Sequence, residues 1–234
     1  GGIITRIACD KEFSLPKYPS PEYVARTGGV FGVLEMGRTI GSYMKEYGFN
    51  IFNTANNHSC DYSQSGVLAT IEHLKKRDMI FAGTGATLRE AAAPAYLETP
   101  NARVALIASS VCDNTYAAIA GDQSVDMIGR PGLNPLRFKT TYHVEQKYYD
   151  VLKEVVEKTD MNAAKEYSIA NGYSNPLPEG ELAMDSLGFK LDTKTEQHTS
   201  PNKKDLDRMI ANIQEARRQA DYVLVSVHSH KFAG

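Results

Sequence analysis

Short apolar segments alternate with helical segments along much of this chain, and this alternation constrains the fold more than any other feature. The apolar segments are rich in β-branched or small residues, which predicts buried strands at residues 49–54, 79–82, 103–108 and 222–227. Amphipathic or capped segments lie between them, which predicts helices at residues 36–47, 65–77, 87–92 and 202–220. This order is typical of an α/β domain with mostly parallel strands, and we expect 222–227 to be a central strand.

The middle of the chain interrupts this pattern. Strong turn chemistry runs from Gly129 to Pro135. Two helices and a hairpin are predicted after it, at residues 144–158, 161–171 and 189–191. We interpret residues 113–200 as an insertion within a single domain that spans residues 1–234. Long insertions of this kind often act as lids or contact the substrate.

Composition excludes several classes of protein. The net charge of −2 offers no basic excess for nucleic acid or an anionic membrane surface. No apolar run reaches the roughly 18 residues of a membrane span. The three cysteines, Cys9, Cys60 and Cys112, contain no C-x-x-C pair and are expected to be thiols. The sequence starts without a signal peptide or an initiator Met, so we expect both ends to be cuts through a larger protein.

Two polar strings follow predicted strands directly. Asn57 and His58, with Asp61 three residues further on, come after the first strand, and His228 comes after the last. The carboxyl ends of parallel strands meet at one edge of a sheet, so we expect these side chains to share a crevice. An amide oxygen and an imidazole are suitable ligands for a divalent metal, and an imidazole oriented by a carboxylate can protonate an oxygen leaving phosphorus.

Ordinary structural roles are the alternative for each string. An Asn-Asn-His loop can simply turn the chain and cap the next helix, and a histidine at a strand end can be a hydrogen-bonded structural residue. The position of both strings at the carboxyl ends of separate strands favours a shared site. The other histidines are interpreted as solvated residues on a helix face, at a helix start and in a polar loop: His73, His143 and His198.

The first string resembles the hallmark of a known family. Ala55-Asn56-Asn57-His58-x-x-Asp61-Tyr62, preceded by Gly48-Phe49-Asn50-Ile51, is similar to the bacterial capsule or poly-γ-glutamate biosynthesis proteins of the CapA type. Other parts of the chain match in the same order, namely Gly83-Thr84-Gly85-Ala86, the segment Gly129 to Arg137, and Asp221 through His230. The resemblance therefore covers nearly the whole chain.

The resemblance implies a calcineurin-like metallophosphoesterase fold, a two-sheet sandwich flanked by helices, here incomplete at both ends. It implies Asn57 and His228 as metal ligands, His58 as the proton donor and, by a weaker match, His230 as a substrate contact. The cofactor would be divalent Mn, Fe, Zn or Mg, as one ion or as a pair. The first Asp-containing motif and the final Gly-His-x-His motif of the superfamily are absent from residues 1–234. The remaining ligands are therefore expected from outside this chain.

The expected function is hydrolysis of a phosphoester or a related anionic bond in capsule or poly-γ-glutamate metabolism at the bacterial cell envelope. The alternative is a non-catalytic component of the capsule export machinery that binds the polymer or other capsule synthesis proteins. A metal-independent α/β hydrolase is disfavoured because the chain has no G-x-S-x-G elbow. Arg130 and Arg137 are candidates to clamp the carboxylates of a polyglutamate chain, although turn residues with surface ion pairs are the alternative interpretation.

Overall fold

The computed structural model describes residues 48–111 and 118–230, and these residues form two compact units. Unit 1 comprises the described residues up to Arg137 and from Lys203 onward, and unit 2 comprises Phe138–Asn202. The predicted loop at 1–35, the predicted helix at 36–47 and two of the cysteines lie outside the described residues. None of the described helices is both long enough and apolar enough to span a bilayer.

The secondary structure is mixed α/β, which confirms the predicted fold class. In chain order the elements are β1 (Ile51–Asn53), α1 (Ser63–Lys75), β2 (Ile80–Ala82), β3 (Thr84–Gly85), α2 (Leu88–Ala92), β4 (Ala95–Glu98), β5 (Arg103–Ser110), β6 (Gly132–Leu133), β7 (Phe138–Val144), α3 (Gln146–Thr159), α4 (Ala163–Ala170), β8 (Glu181–Met184), β9 (Leu187–Leu191), β10 (Glu196–Pro201), α5 (Lys203–Gln219) and β11 (Tyr222–His228). The strands and helices predicted from the alternation, apart from the helix at 36–47 outside the described residues, all occur, with ends that shift by a few residues.

Unit 1 is layered around β5. This strand pairs in parallel with β11 and antiparallel with β4, while β1 and β2 form a separate parallel pair. Leu106 and Ala108, on one face of β5, pack with Ala82 of β2. Ala105 and Ile107, on its other face, pack with the α5 side chains. Because both faces of β5 are covered, residues 104–108 of this strand are all apolar, as expected for a buried strand.

The last strand of unit 1 corrects one expectation. The prediction made 222–227 a central strand, but β11 lies at the edge of its three-stranded sheet among the described residues. Four of its apolar side chains are between 42% and 63% exposed, namely Tyr222, Leu224, Val225 and Val227. A β-branched composition predicts an extended conformation, but it does not specify how many neighbours a strand has.

Unit 2 contains a four-stranded sheet with the order β10-β7-β9-β8 and the two helices α3 and α4. The hairpin predicted near 189–191 is confirmed by the antiparallel pair β8 and β9. The unit begins at Phe138, so the turn-rich segment from Gly129 belongs to unit 1 rather than to the middle unit. The insertion predicted for 113–200 stays a prediction, and the compact unit that the structure defines covers a shorter range.

Two histidines in unit 2 occupy positions that the sequence interpretation placed wrongly. His143 lies inside strand β7 instead of at a helix start, and His198 lies inside strand β10 instead of in a polar loop. All six residues of β10 are exposed and mostly polar, so the period-2 alternation that identifies a strand is absent from this segment. The pairing with β7 therefore determines its conformation.

Candidate functional site

The loop after β1 is held rigidly by its own polar side chains. The Asn56 amide oxygen accepts a hydrogen bond from the His58 backbone N–H at 2.8 Å, which is an Asx turn. The Ser59 hydroxyl accepts from the Asn56 backbone N–H at 2.8 Å and donates to the Thr54 carbonyl at 2.7 Å. Asn56 and Ser59 are both buried. These bonds satisfy the backbone of a sharp turn and project the side chains of Asn57 and His58 away from it.

Four of the predicted site residues form one continuous chain of side-chain contacts. His58 Nδ1 lies 2.9 Å from Asp61 Oδ2, and His58 Nε2 lies 3.2 Å from Asn57 Nδ2. The Asn57 Oδ1 atom in turn lies 2.9 Å from His228 Nε2. Every donor meets an acceptor when His58 carries its proton on Nδ1 and His228 carries its proton on Nε2. The structure therefore brings together residues that are 171 positions apart in the chain.

The position of His228 follows from its strand. It is the last residue of β11, where it pairs with Ser110 of the parallel strand β5, and its carbonyl accepts the Val111 N–H at 3.0 Å. Burial lowers the pKa of His228, and the neighbouring His230 and His58 lower it further. The imidazole is therefore neutral near pH 7, and in the tautomer that carries its proton on Nδ1 the Nε2 atom can ligate a metal. The His230 ring lies edge-on to the His228 ring, with centroids 4.8 Å apart.

Two further contacts position the tips of β1 and β11, and the sequence interpretation missed both. Asn53 Nδ2 of β1 donates to Ser226 Oγ of β11 at 2.8 Å, and Asn53 Oδ1 accepts the Ala55 N–H at 2.7 Å. Gly83, at a φ of +110°, lies so close to the loop that a Cβ there would be 2.7 Å from the Ala55 Cβ. A Gly directly after a short strand was the available sequence signal for this close approach.

The donor atoms suit a divalent cation as two of its ligands. Ligands at 2.0–2.2 Å from one ion lie roughly 3 Å apart, and the Asn57 Oδ1 and His228 Nε2 atoms are 2.9 Å apart. An amide oxygen with a neutral imidazole is a borderline donor set that accepts several first-row divalent metals. Among residues 48–111 and 118–230, no three or more His, Cys, Asp or Glu side chains are arranged to hold an ion. An ion held by Asn57 and His228 would therefore need further ligands from outside the described residues.

The two candidate arginines lie apart from this chain of contacts, within the structural framework of unit 1. Arg137 forms a two-pronged pair with the fully buried Asp205, through Nε at 2.7 Å and Nη2 at 2.8 Å. Arg208 also contacts Asp205, and it donates to the Pro135 carbonyl. Arg130 donates through Nε to the Ile119 carbonyl at 2.9 Å. The Arg137 N–H groups that could bind a polymer carboxylate are therefore already hydrogen-bonded to Asp205, which favours a structural role for Arg137.

Comparisons with known proteins find one matching family model and several relatives. The family model described as bacterial capsule synthesis protein PGA_cap matches residues 27–232. Two proteins of Sinorhizobium fredii (strain NBRC 101917 / NGR234), the uncharacterized proteins y4sH and y4uA, are each 28% identical over 196 residues, which is 82% of this chain and 39% of theirs. The capsule biosynthesis protein CapA of Bacillus anthracis is 34% identical over 64 residues, 27% of this chain and 16% of its own. The chain thus spans 39% of the length of the two Sinorhizobium proteins.

Proposed function

We propose, from the premise that this chain belongs to the bacterial capsule synthesis protein family PGA_cap, that it carries part of a metal-dependent hydrolase site. The observation that supports the proposal best is the contact between Asn57 and His228, because two distant strand ends place an amide oxygen beside a neutral imidazole. His58 stands next to this pair, with its ring oriented by Asp61. A purely structural loop would not need an aligned imidazole and carboxylate beside two potential ligands.

In this proposal each residue of the chain of contacts has a distinct task. Asn57 and His228 would hold a divalent ion, which would supply polarisation of the scissile bond and activation of water. His58, once protonated, donates a proton to the departing oxygen from Nε2. Asp61 accepts the Nδ1–H of His58, fixes the ring orientation and stabilises the imidazolium form. The ion would be Mn, Fe, Zn or Mg, and a dinuclear centre would need further ligands from outside the described residues.

The substrate proposal follows from the family. The family is described by bacterial capsule synthesis, and the chain resembles poly-γ-glutamate biosynthesis proteins, so we infer a phosphoester or another anionic bond in capsule or poly-γ-glutamate metabolism as the target. His230 lies beside His228 and is the residue we propose for contact with the anionic substrate. The cell envelope is the compartment that such a function requires, with other capsule synthesis proteins as partners.

Hydrolysis assays on the intact protein test the proposal. The protein would be supplied in turn with each of the four metals and assayed with a phosphodiester and with poly-γ-glutamate. Asn57→Ala and His58→Ala should each abolish or strongly reduce turnover, while His73→Ala, in the last turn of α1, should leave it unchanged. Full activity in the Asn57→Ala and His58→Ala variants would refute the assignment of the site.

Polymer binding separates the enzyme from the non-catalytic alternative. If the intact protein binds poly-γ-glutamate but hydrolyses neither substrate with any of the metals, the chain is a binding component of the export machinery. Arg130→Ala should weaken polymer binding if this arginine contacts the carboxylates, and unchanged binding would remove it from the site. Arg137 is unsuitable for the same test, because loss of its side chain would remove two hydrogen bonds from the buried carboxylate of Asp205.

A further inference from the structure

Unit 2 brings two histidines into direct ring contact on one face of its sheet. His143 of β7 is in register with Glu196 of β10, and His198 stands two residues further along β10. Residues two apart on a strand share a face, so His143, Glu196 and His198 all project from the same side. The two imidazole centroids are 3.9 Å apart, and the ring planes are tilted by 34°. The register of the two strands thus creates a pair that the sequence spacing does not suggest.

Each of the two imidazoles is oriented by its own carboxylate. Asp192 Oδ2 lies 2.6 Å from His143 Nδ1, and Glu196 Oε1 lies 2.8 Å from His198 Nε2. Both carboxylates accept an N–H, which leaves a lone pair on His143 Nε2 and on His198 Nδ1. The hydrogen bond from His143, followed by that from the Thr193 N–H, lowers the pKa of Asp192 to about 2. Asp192 is therefore ionised at any working pH. A carboxylate behind an imidazole is the usual support of a metal-ligating histidine.

We propose that His143 and His198 together bind one zinc ion, or another imidazole-seeking divalent metal such as copper or nickel, on this face of unit 2. Two nitrogens that ligate one tetrahedral zinc lie about 3.3 Å apart, so both rings, now stacked with centroids 3.9 Å apart, would turn until His143 Nε2 and His198 Nδ1 face the same ion. The site has two protein ligands and keeps water at the other positions, so it is open and exchangeable.

The charges around the pair are compatible with a cation. Asp192 and Glu196 place two carboxylates next to the rings. Lys190 of β9 is in register with His143, and Glu181 of β8 is in register with Lys190. The two strands that flank β7 thus place one residue of each sign in register with His143, Glu196 on β10 and Lys190 on β9. The site lies in unit 2 and is independent of the hydrolase site proposed for unit 1.

Zinc titration of the intact protein, followed by the ring signals of its histidines in NMR spectra, tests the proposal. The His143 and His198 signals should shift together and saturate with one equivalent of zinc. They should do the same in a His228→Ala variant, which separates this site from the one in unit 1. Signals of both rings that stay unmoved during the titration would overturn the proposal.

Variants provide the second readout, with circular dichroism to establish that each one folds. His143→Gln and His198→Gln should each abolish binding of the one equivalent of zinc as completely as the double variant does, because a single imidazole cannot chelate the ion. His73→Gln, the matched control in unit 1, should keep it. Asp192→Asn should weaken zinc binding by about 10- to 100-fold, as loss of a supporting carboxylate does at other sites. Equal affinity in the wild-type protein and the double variant would contradict the assignment.

Discussion

Replacing Asp205 with alanine should lower the free energy of unfolding of this protein by about 3 kcal/mol. The Asp205 side chain is fully buried near the start of α5. Its carboxylate accepts the Arg137 backbone N–H at 3.0 Å, two Arg137 guanidinium N–H groups at 2.7 and 2.8 Å, and the Arg208 guanidinium at 3.0 Å. These bonds connect the segment after β6 to α5, so the substitution breaks a connection within the framework of unit 1.

The size of the effect follows from what the substitution leaves behind. Removing one partner of a buried ion pair costs about 3–5 kcal/mol, because the other charge stays without compensation. The Arg137 side chain is 40% exposed and the Arg208 side chain 20% exposed, so water partly replaces the lost carboxylate. The lower end of that range therefore applies. A loss of about 3 kcal/mol corresponds to a fall in Tm of roughly 6–12 °C for a chain of this size.

Urea denaturation at pH 7 measures the effect, and Asp207→Ala provides a matched control two residues further along the same helix. Asp207 forms an exposed pair with Lys203, so its loss should cost less than about 0.5 kcal/mol. The reasoning is refuted if Asp205→Ala lies within about 0.5 kcal/mol of Asp207→Ala, since the buried pair would then contribute no more than a surface pair.

The pH dependence of stability gives an independent check on the same residue. Burial raises the pKa of Asp205, but the hydrogen bonds from Arg137 and then from Arg208 outweigh it, and the pKa in the folded state is lowered. The unfolded chain therefore binds this proton more readily than the folded protein. The stabilisation is complete above the unfolded pKa of about 3.9 and is lost as the pH falls through the folded pKa. The wild-type protein should lose more stability than Asp205→Ala between pH 4 and more acidic conditions.

Two further predictions concern the loop and the proton-transfer residues. Gly83→Ala should destabilise the protein by about 2–3 kcal/mol in urea denaturation, because its Cβ would overlap Ala55 and its φ is +110°. Gly48 is also at positive φ, but no described atom lies within 4 Å of the new Cβ, so Gly48→Ala should lower the free energy of unfolding by only about 1 kcal/mol. Equal losses in the two variants would show that the contact with Ala55 is unimportant. His58→Ala should lower kcat roughly 100- to 10,000-fold, and Asp61→Asn should lower it by less. Asp61→Asn should also change the pH dependence of kcat, because Asp61 contacts His58. An unchanged pH dependence would show that Asp61 does not act through His58.

The main features of unit 1 could be predicted from sequence because its strands carry a local signal. Residues 104–108 form an unbroken apolar run, which is typical of a strand covered on both faces. The family resemblance carried by the Asn57-His58 string is confirmed by the family match. The edge position of β11 could not be predicted, because the number of partners of a strand depends on segments far away in the sequence. The same limit applies to β10, whose exposed polar residues show no alternation.

The candidate site could be predicted only in part, because its contacts depend on partners that are far apart in the sequence. The prediction that Asn57 and His228 lie near each other assumed that their strands share one sheet; β1 and β11 belong to different sheets, and the two side-chain atoms are nevertheless 2.9 Å apart. The anchoring bond from Asn53 to Ser226 and the Asx turn of Asn56 depend on side-chain directions, which residue spacing does not reveal. Arg137 was misleading for the same reason, because its partner Asp205 lies 68 residues away.

Metal binding by the intact protein tests directly whether Asn57 and His228 hold a shared cation. The measurement is the stoichiometry and affinity of Mn²⁺ and Zn²⁺, determined in a His143→Gln/His198→Gln background so that the site proposed in unit 2 does not contribute. We expect the protein to bind a divalent ion, and we expect that binding to be lost or strongly weakened in Asn57→Ala and in His228→Ala. Binding that keeps the same stoichiometry and affinity in both variants would contradict the claim that these two strand ends hold a shared cation.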